Sequence, residues 1–167
     1  MPNLKNMKCL LFILTLLLFS CDFNGKNGIE IYQLNWRSID FLENNRKGNY
    51  CDLKINQEDL FDKPILTDSD IAHFDWNSQE LILTEKGRVK IDLLKIPLDG
   101  LAVAMILNGE IIYGFWFLNS ESPYGCGGVY SEPKLDFKLK FGQADGYDYG
   151  KDPRFDSRIK EYLKTRN

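Results

Sequence analysis

The side chains able to do chemistry are few in this 167-residue chain, and they form no recognisable catalytic set. The single histidine, His73, argues against a Ser-His-Asp triad and against a metal site built from several histidines. Two groups of aspartates stand out: Asp68, Asp70 and Asp75, and Asp145, Asp148 and Asp152. Neither spacing is that of an EF-hand, and aspartates equally cap helices and form turns. The sequence therefore predicts no catalytic residue, no metal and no cofactor.

Cys21 is the residue with the most specific chemistry. It follows an apolar run over residues 9–19 that is too short to cross about 30 Å of hydrocarbon but is typical of a signal peptide. The residues at its end, Leu18-Phe19-Ser20-Cys21, resemble a bacterial lipobox. In signals of that class the cysteine receives a diacylglycerol, the chain is cleaved before it, and the new terminus is acylated.

We therefore predict a lipoprotein signal peptide at 1–20, lipid attachment at Cys21 and a place on the extracytoplasmic side of the bacterial cell envelope. The membrane is thus the first predicted partner, and inner or outer membrane stays open. A plain secreted protein and an N-terminal membrane helix are the alternatives.

Cys51 and Cys126 are the thiols that remain in the processed chain. The oxidising envelope permits a disulfide between them, and the glycines around Cys126 would let it approach another segment. The alternative is one buried thiol and one loop thiol. A catalytic cysteine is disfavoured because there is no CxxC motif and no second histidine to lower its pKa.

The charge balance disfavours one class of partner. The chain has 21 Lys and Arg against 24 Asp and Glu, and removing residues 1–20 takes away two lysines, which leaves a net charge of −5. An acidic protein lacks the basic footprint of a nucleic-acid binder. The remaining length suits one domain, which we place at 29–167, after a flexible tether at 21–28.

Periodicity and capping residues indicate an α+β fold with a small antiparallel sheet. Strands are predicted at 29–34, 72–76, 80–84, 101–107, 110–118 and 134–141, with a helical turn or a short strand within 50–63. A central helix follows its capping residue Thr84. The apolar face of that helix comprises Val89, Leu93 and Ile96. A C-terminal helix follows Asp152, begins at Pro153 and packs on the sheet. Its apolar stripe comprises Phe155, Ile159, Tyr162 and Leu163.

Asn108-Gly109 separates two apolar runs, and this pair favours a type I′ hairpin turn. Alternation places Ile111, Tyr113, Phe115 and Phe117 on one face of the second strand. Ile112, Gly114, Trp116 and Leu118 fall on the other face. A strand that is apolar on both faces must be covered on both or expose a patch. Either the C-terminal helix covers Trp116, or Trp116 joins Tyr124 and Tyr130 of the Gly-rich loop in a partner or ligand surface. Tyr113 is a further candidate for that surface.

Short motifs within residues 63–118 are similar to those of one family. "PILTDSDI", "LTEKG" and "GLAVAMILNGEII" resemble the periplasmic P1 head region of the SecD translocase subunit. A group of bacterial lipoproteins of unknown function shares the pattern, with Ile112-Tyr113-Gly114 after the turn. The resemblance implies a small α+β fold that handles protein partners at the membrane surface. Proton-driven transport is not implied, because SecD is an integral membrane protein and the sequence predicts no membrane-spanning helix in this domain.

These observations predict a lipid-anchored, non-enzymatic domain that binds another envelope protein or a peptide. The alternative is an envelope hydrolase or a small-ligand binder that uses the aromatic Gly-rich loop and nearby carboxylates.

Overall fold

The computed structural model describes residues 28–35, 53–122, 128–142 and 150–166. Several residues singled out above lie outside these ranges: Cys21, Cys51, Tyr124, Cys126, Asp145 and Asp148. The lipid attachment and the disulfide therefore stay predictions. In the described ranges, no helix has both the length and the apolar character needed to cross a bilayer.

Eight strands form one sheet. They are β1 (Ile29–Leu34), β2 (Leu60–Leu66), β3 (Ile71–Asp75), β4 (Glu80–Leu83), β5 (Leu101–Leu107), β6 (Glu110–Phe117), β7 (Val129–Glu132) and β8 (Asp136–Phe141). Their order across the sheet is β2-β1-β5-β6-β7-β8-β4-β3, and each neighbouring pair is antiparallel except β6 and β7. Two α-helices accompany the sheet: α1 (Glu85–Leu93) and α2 (Ser157–Thr165).

The α+β class is confirmed, but the sheet is larger than the small antiparallel sheet that the sequence predicts. Strands β6 and β7 are separated by residues 118–128, and a parallel pair needs a connection longer than a tight turn. Alternation of apolar residues reports a strand and its faces, and it carries no information on the direction of the neighbouring strand.

The hairpin of β5 and β6 turns at Asn108 and Gly109, whose φ angles of 51° and 85° are both positive, as a type I′ turn requires. A bulge follows the turn, because Met105 pairs with Tyr113 while Ile106 pairs with Ile111. The extra residue reverses the predicted facing of Ile111 and Ile112, whereas residues from Tyr113 onward face as predicted.

The two faces of the hairpin belong to two separate apolar clusters. The main core includes Val103, Met105, Phe115, Phe117, Ile91 of α1 and Ile159 of α2. The second core comprises Tyr32, Leu34, Ala102, Ala104, Ile106, Trp116 and Leu118. Because Ile159 lies in the main core, α2 does pack on the sheet, but on the face opposite Trp116. The predicted cover for Trp116 is therefore wrong.

The second core is covered instead by the segment that leads into β2. Leu53, Ile55 and Leu60 pack against it. A Cβ atom on Gly114 would collide with the side chains of Leu53 and Ile55, so the glycine permits this close approach.

Helix α1 begins where the sequence predicts but turns a different face inward. The Gly87 N–H donates to the Thr84 hydroxyl over 3.2 Å, which is the expected cap. Gly87 and Ile91 are buried, whereas Val89 and Leu93 are 51% and 77% exposed. A Cβ at Gly87 would collide with the carbonyl oxygen of Asp70, so the missing side chain sets which face packs.

The C-terminal segment is split, where the sequence predicts one helix from Pro153. A 3₁₀ turn spans Pro153–Phe155 and is capped by Asp152, and α2 then begins after a second cap, Asp156. Ile159 is fully buried, whereas Phe155 is half exposed.

Candidate functional site

Two of the four residues of the predicted aromatic surface are buried. Trp116 is only 2% exposed in the second core, and Tyr113 is only 7% exposed in the main core. They therefore lie on opposite faces of β6 and share no surface. Tyr130 is half-buried against the second core, and Tyr124 lies outside the described residues.

The aspartates near His73 have structural partners. The Oδ2 atom of Asp70 accepts from the Thr67 N–H at 2.9 Å and from Lys90 Nζ at 2.5 Å. Burial alone would raise the pKa of Asp70, but these hydrogen bonds outweigh it and lower that pKa. Asp75 Oδ1 accepts from the N–H groups of Ser78 and Asn77, and its pKa is lowered in the same way. Over the described ranges, no three His, Cys, Asp or Glu residues are grouped to hold a metal ion.

The feature best suited to binding is a groove along the last strand of the sheet. Six consecutive residues, 72–77, line one side of a cavity of about 370 Å³, and Leu163 and Arg166 from the end of α2 line the other. We call this cavity the β3–α2 groove. In the described part of the chain, β3 pairs only with β4, so its second edge has no strand partner there.

A bulge gives β3 its outward-facing side chains. Ile71 pairs with Leu83 and His73 pairs with Ile82, which leaves Ala72 as the extra residue. Ala72 and His73 are both exposed, whereas Phe74 is buried in the main core. Ala72 and His73 therefore line the groove, on a strand that Phe74 anchors in the main core.

Arg166 closes the groove at the Ile71 end. Its Nη2 atom donates to the carbonyl oxygens of Asp68, at 3.0 Å, and of Ile71. Its Nε atom lies 3.2 Å from Asp68 Oδ2. Asp68 also accepts from the Ile29 N–H at 3.1 Å. Burial and a hydrogen bond to Asp68 raise the pKa of Tyr162 to about 12. The Asp68 carboxylate, which lies just before β3, therefore has partners in both α2 and β1.

Trp76 lies at the other end of the groove. Its ring packs edge-on against Phe155, with centroids 5.4 Å apart, and Lys160 Nζ lies 6.0 Å from its centroid. These contacts join the turn after β3 to α2 and to the residue Phe155 that precedes it.

A second cavity, of about 220 Å³, is lined by Ile96, Leu118, Asn119, Ser120, Glu132, Lys134 and Leu135. Its one carboxylate, Glu132, accepts from Lys140 Nζ at 3.2 Å. The pair of carboxylates that hydrolysis favours is not brought together by the residues lining this cavity.

Comparison with protein-family models, with curated proteins and with solved structures gives no match for this chain. The resemblance to the SecD head region therefore stays a prediction. Sequence reasoning did not single out Arg166 or the edge of β3. The polar N–H and C=O groups of an edge look the same in the sequence as those of a central strand, and only the strand order distinguishes them.

Proposed function

We propose that this protein is a lipid-anchored, non-enzymatic protein of the bacterial cell envelope that binds an extended peptide segment of a partner protein in the β3–α2 groove. One observation carries the peptide-binding part: four residues of an edge strand, 72–75, and the first two residues of the turn that follows it line one side of a groove, with the end of a helix opposite. The lipobox at Cys21 and the resemblance to a head domain that handles proteins at the membrane support the location.

An extended peptide suits this groove because of its backbone chemistry. An edge strand presents N–H and C=O groups that another extended chain can pair with. In β-strand addition, main-chain hydrogen bonds supply affinity and pockets beside the edge supply specificity. Trp76 and Leu163 offer apolar contacts for the side chains of such a peptide, and Arg166 and Asp75 offer charges.

The groove supports binding rather than hydrolysis. Catalytic carboxylates usually have pKa values moved towards the working pH by burial or by a like charge. Asp75, the groove's carboxylate, has its pKa lowered by two backbone N–H groups, and those bonds also occupy it. It is therefore a poor general acid.

The groove is tested with the full-length lipidated protein in detergent micelles. The probe is a library of synthetic linear peptides, each present with a free and with an amidated carboxyl terminus. We expect peptides that bind the wild type, and we expect Ala72→Trp to weaken them by about tenfold or more because the indole fills the groove. Asp62→Trp, at an exposed position on β2, is the matched control and should bind normally. Equal binding by a folded Ala72→Trp protein would contradict the proposal.

The anchor is tested separately. Cys21→Ala should leave the domain folded and move it from the membrane fraction to the soluble fraction, whereas Cys51→Ala should stay with the membranes. Equal recovery of Cys21→Ala and wild type in the membrane pellet would overturn lipid attachment.

A further inference from the structure

We infer that the β3–α2 groove binds the carboxyl-terminal end of its peptide, with Arg166 pairing with the terminal carboxylate. This inference rests on the proposed peptide-binding function and adds the class of peptide and its direction.

Arg166 is placed and preorganised for this role. Its side chain is 17% exposed and lines the groove. The Nε and Nη2 atoms are held by Asp68 and by the carbonyl oxygen of Ile71, so the plane of the guanidinium is fixed. Within the described ranges no acceptor is hydrogen-bonded to Nη1, which leaves two N–H donors for a ligand. Because Nε and Nη2 are occupied, Nη1 would bind a carboxylate oxygen through a single charge-assisted hydrogen bond rather than through a two-nitrogen fork.

The direction of β3 agrees with this assignment. The strand runs from Ile71, beside Arg166, towards Asp75. A peptide added antiparallel to β3 has its carboxyl terminus beside the first residues of the strand, and so beside Arg166. Antiparallel pairing is also the slightly more stable arrangement, and β3 already pairs in this way with β4.

Each end of the groove has a cation and a carboxylate: Arg166 and Asp68 at the Ile71 end, and Lys160 and Asp75 towards Trp76. Asp68 offsets part of the charge of Arg166, but Asp68 is itself stabilised by the Ile29 N–H and the Tyr162 hydroxyl. Charge alone therefore does not set the direction, which rests on the remaining Nη1 donor of Arg166 and on antiparallel pairing. A peptide added in the parallel direction would instead bring its carboxylate towards Asp75 and Lys160, the cation near Trp76.

The test compares two peptides that differ only in the carboxyl terminus, one free and one amidated, on the full-length protein in detergent. Hydrogen bonds to charged groups contribute about 1.5–3 kcal/mol, so we expect the free form to bind roughly 10- to 100-fold more tightly. Arg166→Gln should remove this preference by weakening the free form alone. Unchanged affinity for the amidated peptide would show that the groove is intact. Lys160→Gln should keep the preference.

The possible failures are distinguishable. Equal affinity for the two peptides, with both still sensitive to Ala72→Trp, overturns the carboxylate site and leaves the peptide groove standing. A preference that survives Arg166→Gln, or that Lys160→Gln abolishes, overturns the role of Arg166. Absence of any binding peptide overturns the proposed function itself, and this inference with it.

Discussion

The two end strands of the sheet differ in how they present their edges. Strand β2 contains Pro64, which has no N–H to donate, and the pairing of β2 with β1 is irregular at two places. Its Asp62 and Lys63 are exposed. Strand β3 has no proline, one bulge, and a helix held alongside. Proline, charge and irregular pairing protect an edge from other strands, so β2 is the protected edge, and β3 is the edge at which we propose that a peptide pairs.

The two edge strands are consecutive in the chain, and one tight turn joins them. Thr67 and Asp70 form a capping box around the 3₁₀ turn Asp68–Asp70, and Lys90 from α1 pairs with Asp70. The difference between the edges therefore depends on a fixed turn as well as on composition.

The largest loss of stability is expected at Trp116. Both edge strands belong to one sheet, and Trp116 lies in a core that packs on that sheet. Trp116→Ala removes a side chain that is 2% exposed and should cost about 3–5 kcal/mol. The thermal midpoint should fall by well over 5 °C, by roughly 2–8 °C for each kcal/mol lost. Ile82→Ala, at a half-exposed position, is the control and should change the midpoint little. A midpoint for Trp116→Ala within about a degree of wild type would refute its role in the core.

A smaller effect is expected at Asp70, in the turn between the edges. Asp70→Asn removes the ion pair with Lys90 and should cost about 1.5–3 kcal/mol at neutral pH. The pKa of Asp70 is lowered from its ordinary 3.8, so its charge stabilises the fold above that pH and the benefit is lost as pH falls through the lower, folded-state pKa.

Denaturant titrations at several pH values measure this dependence. The gap between wild type and Asp70→Asn should be widest at neutral pH and should narrow below about pH 4. Asp62→Asn, on exposed β2, serves as the control with no comparable gap. A gap that widens as the solution is acidified would have the wrong sign for this ion pair.

Gly87→Ala should be destabilising by roughly 1–2 kcal/mol. Alanine favours a helix by about 1 kcal/mol over glycine, but its Cβ would collide with the Asp70 carbonyl oxygen and push α1 away from the turn. Chemical denaturation gives the value, with Lys86→Ala as the exposed control on the same helix. A more stable Gly87→Ala protein would mean that α1 does not hold the turn.

The smallest change in stability is expected at the protected edge. Pro64→Val restores an N–H to β2 and should alter the free energy of unfolding by only about 0.5 kcal/mol. It should nevertheless increase self-association, which light scattering against protein concentration would detect. Unchanged scattering would mean that Pro64 does not protect β2, and the contrast between the edges would then rest on β3 alone.

The sequence predicts local features better than spatial relations. Thr84 as a cap and the continuous apolar run of β5 are visible because each depends on neighbours in the chain. The parallel pairing of β6 with β7 depends on where a long connection returns, which no periodicity encodes.

The errors at α1 and Trp116 have one physical origin. The pattern Val89-Leu93 has helical spacing, but contact with the Asp70 backbone selects the face with Gly87. In the same way Gly114 admits the segment at 53–55 over Trp116, so α2 is not needed on that face. In both places a glycine marks a close approach, and a glycine inside a predicted helix or strand is a signal that could have indicated it.

Most of the candidate site could not be predicted from the sequence. His73 and Trp76 are visible as polar and aromatic residues of a predicted strand, but Arg166 lies 93 residues after His73. Their meeting at one groove depends on β3 being the last strand and on α2 packing beside it. Strand order is a property of the whole chain, and local patterns do not determine it.

Amide hydrogen exchange on the full-length protein, with and without a peptide selected from the library above, tests the central claim most directly. If the peptide adds as a strand to β3, the β3 amides that point away from β4 should exchange at least about tenfold more slowly, and those of β2 should not change. Protection of β2, protection only around the cavity beside Glu132, or no protection on saturation would contradict peptide binding in the β3–α2 groove.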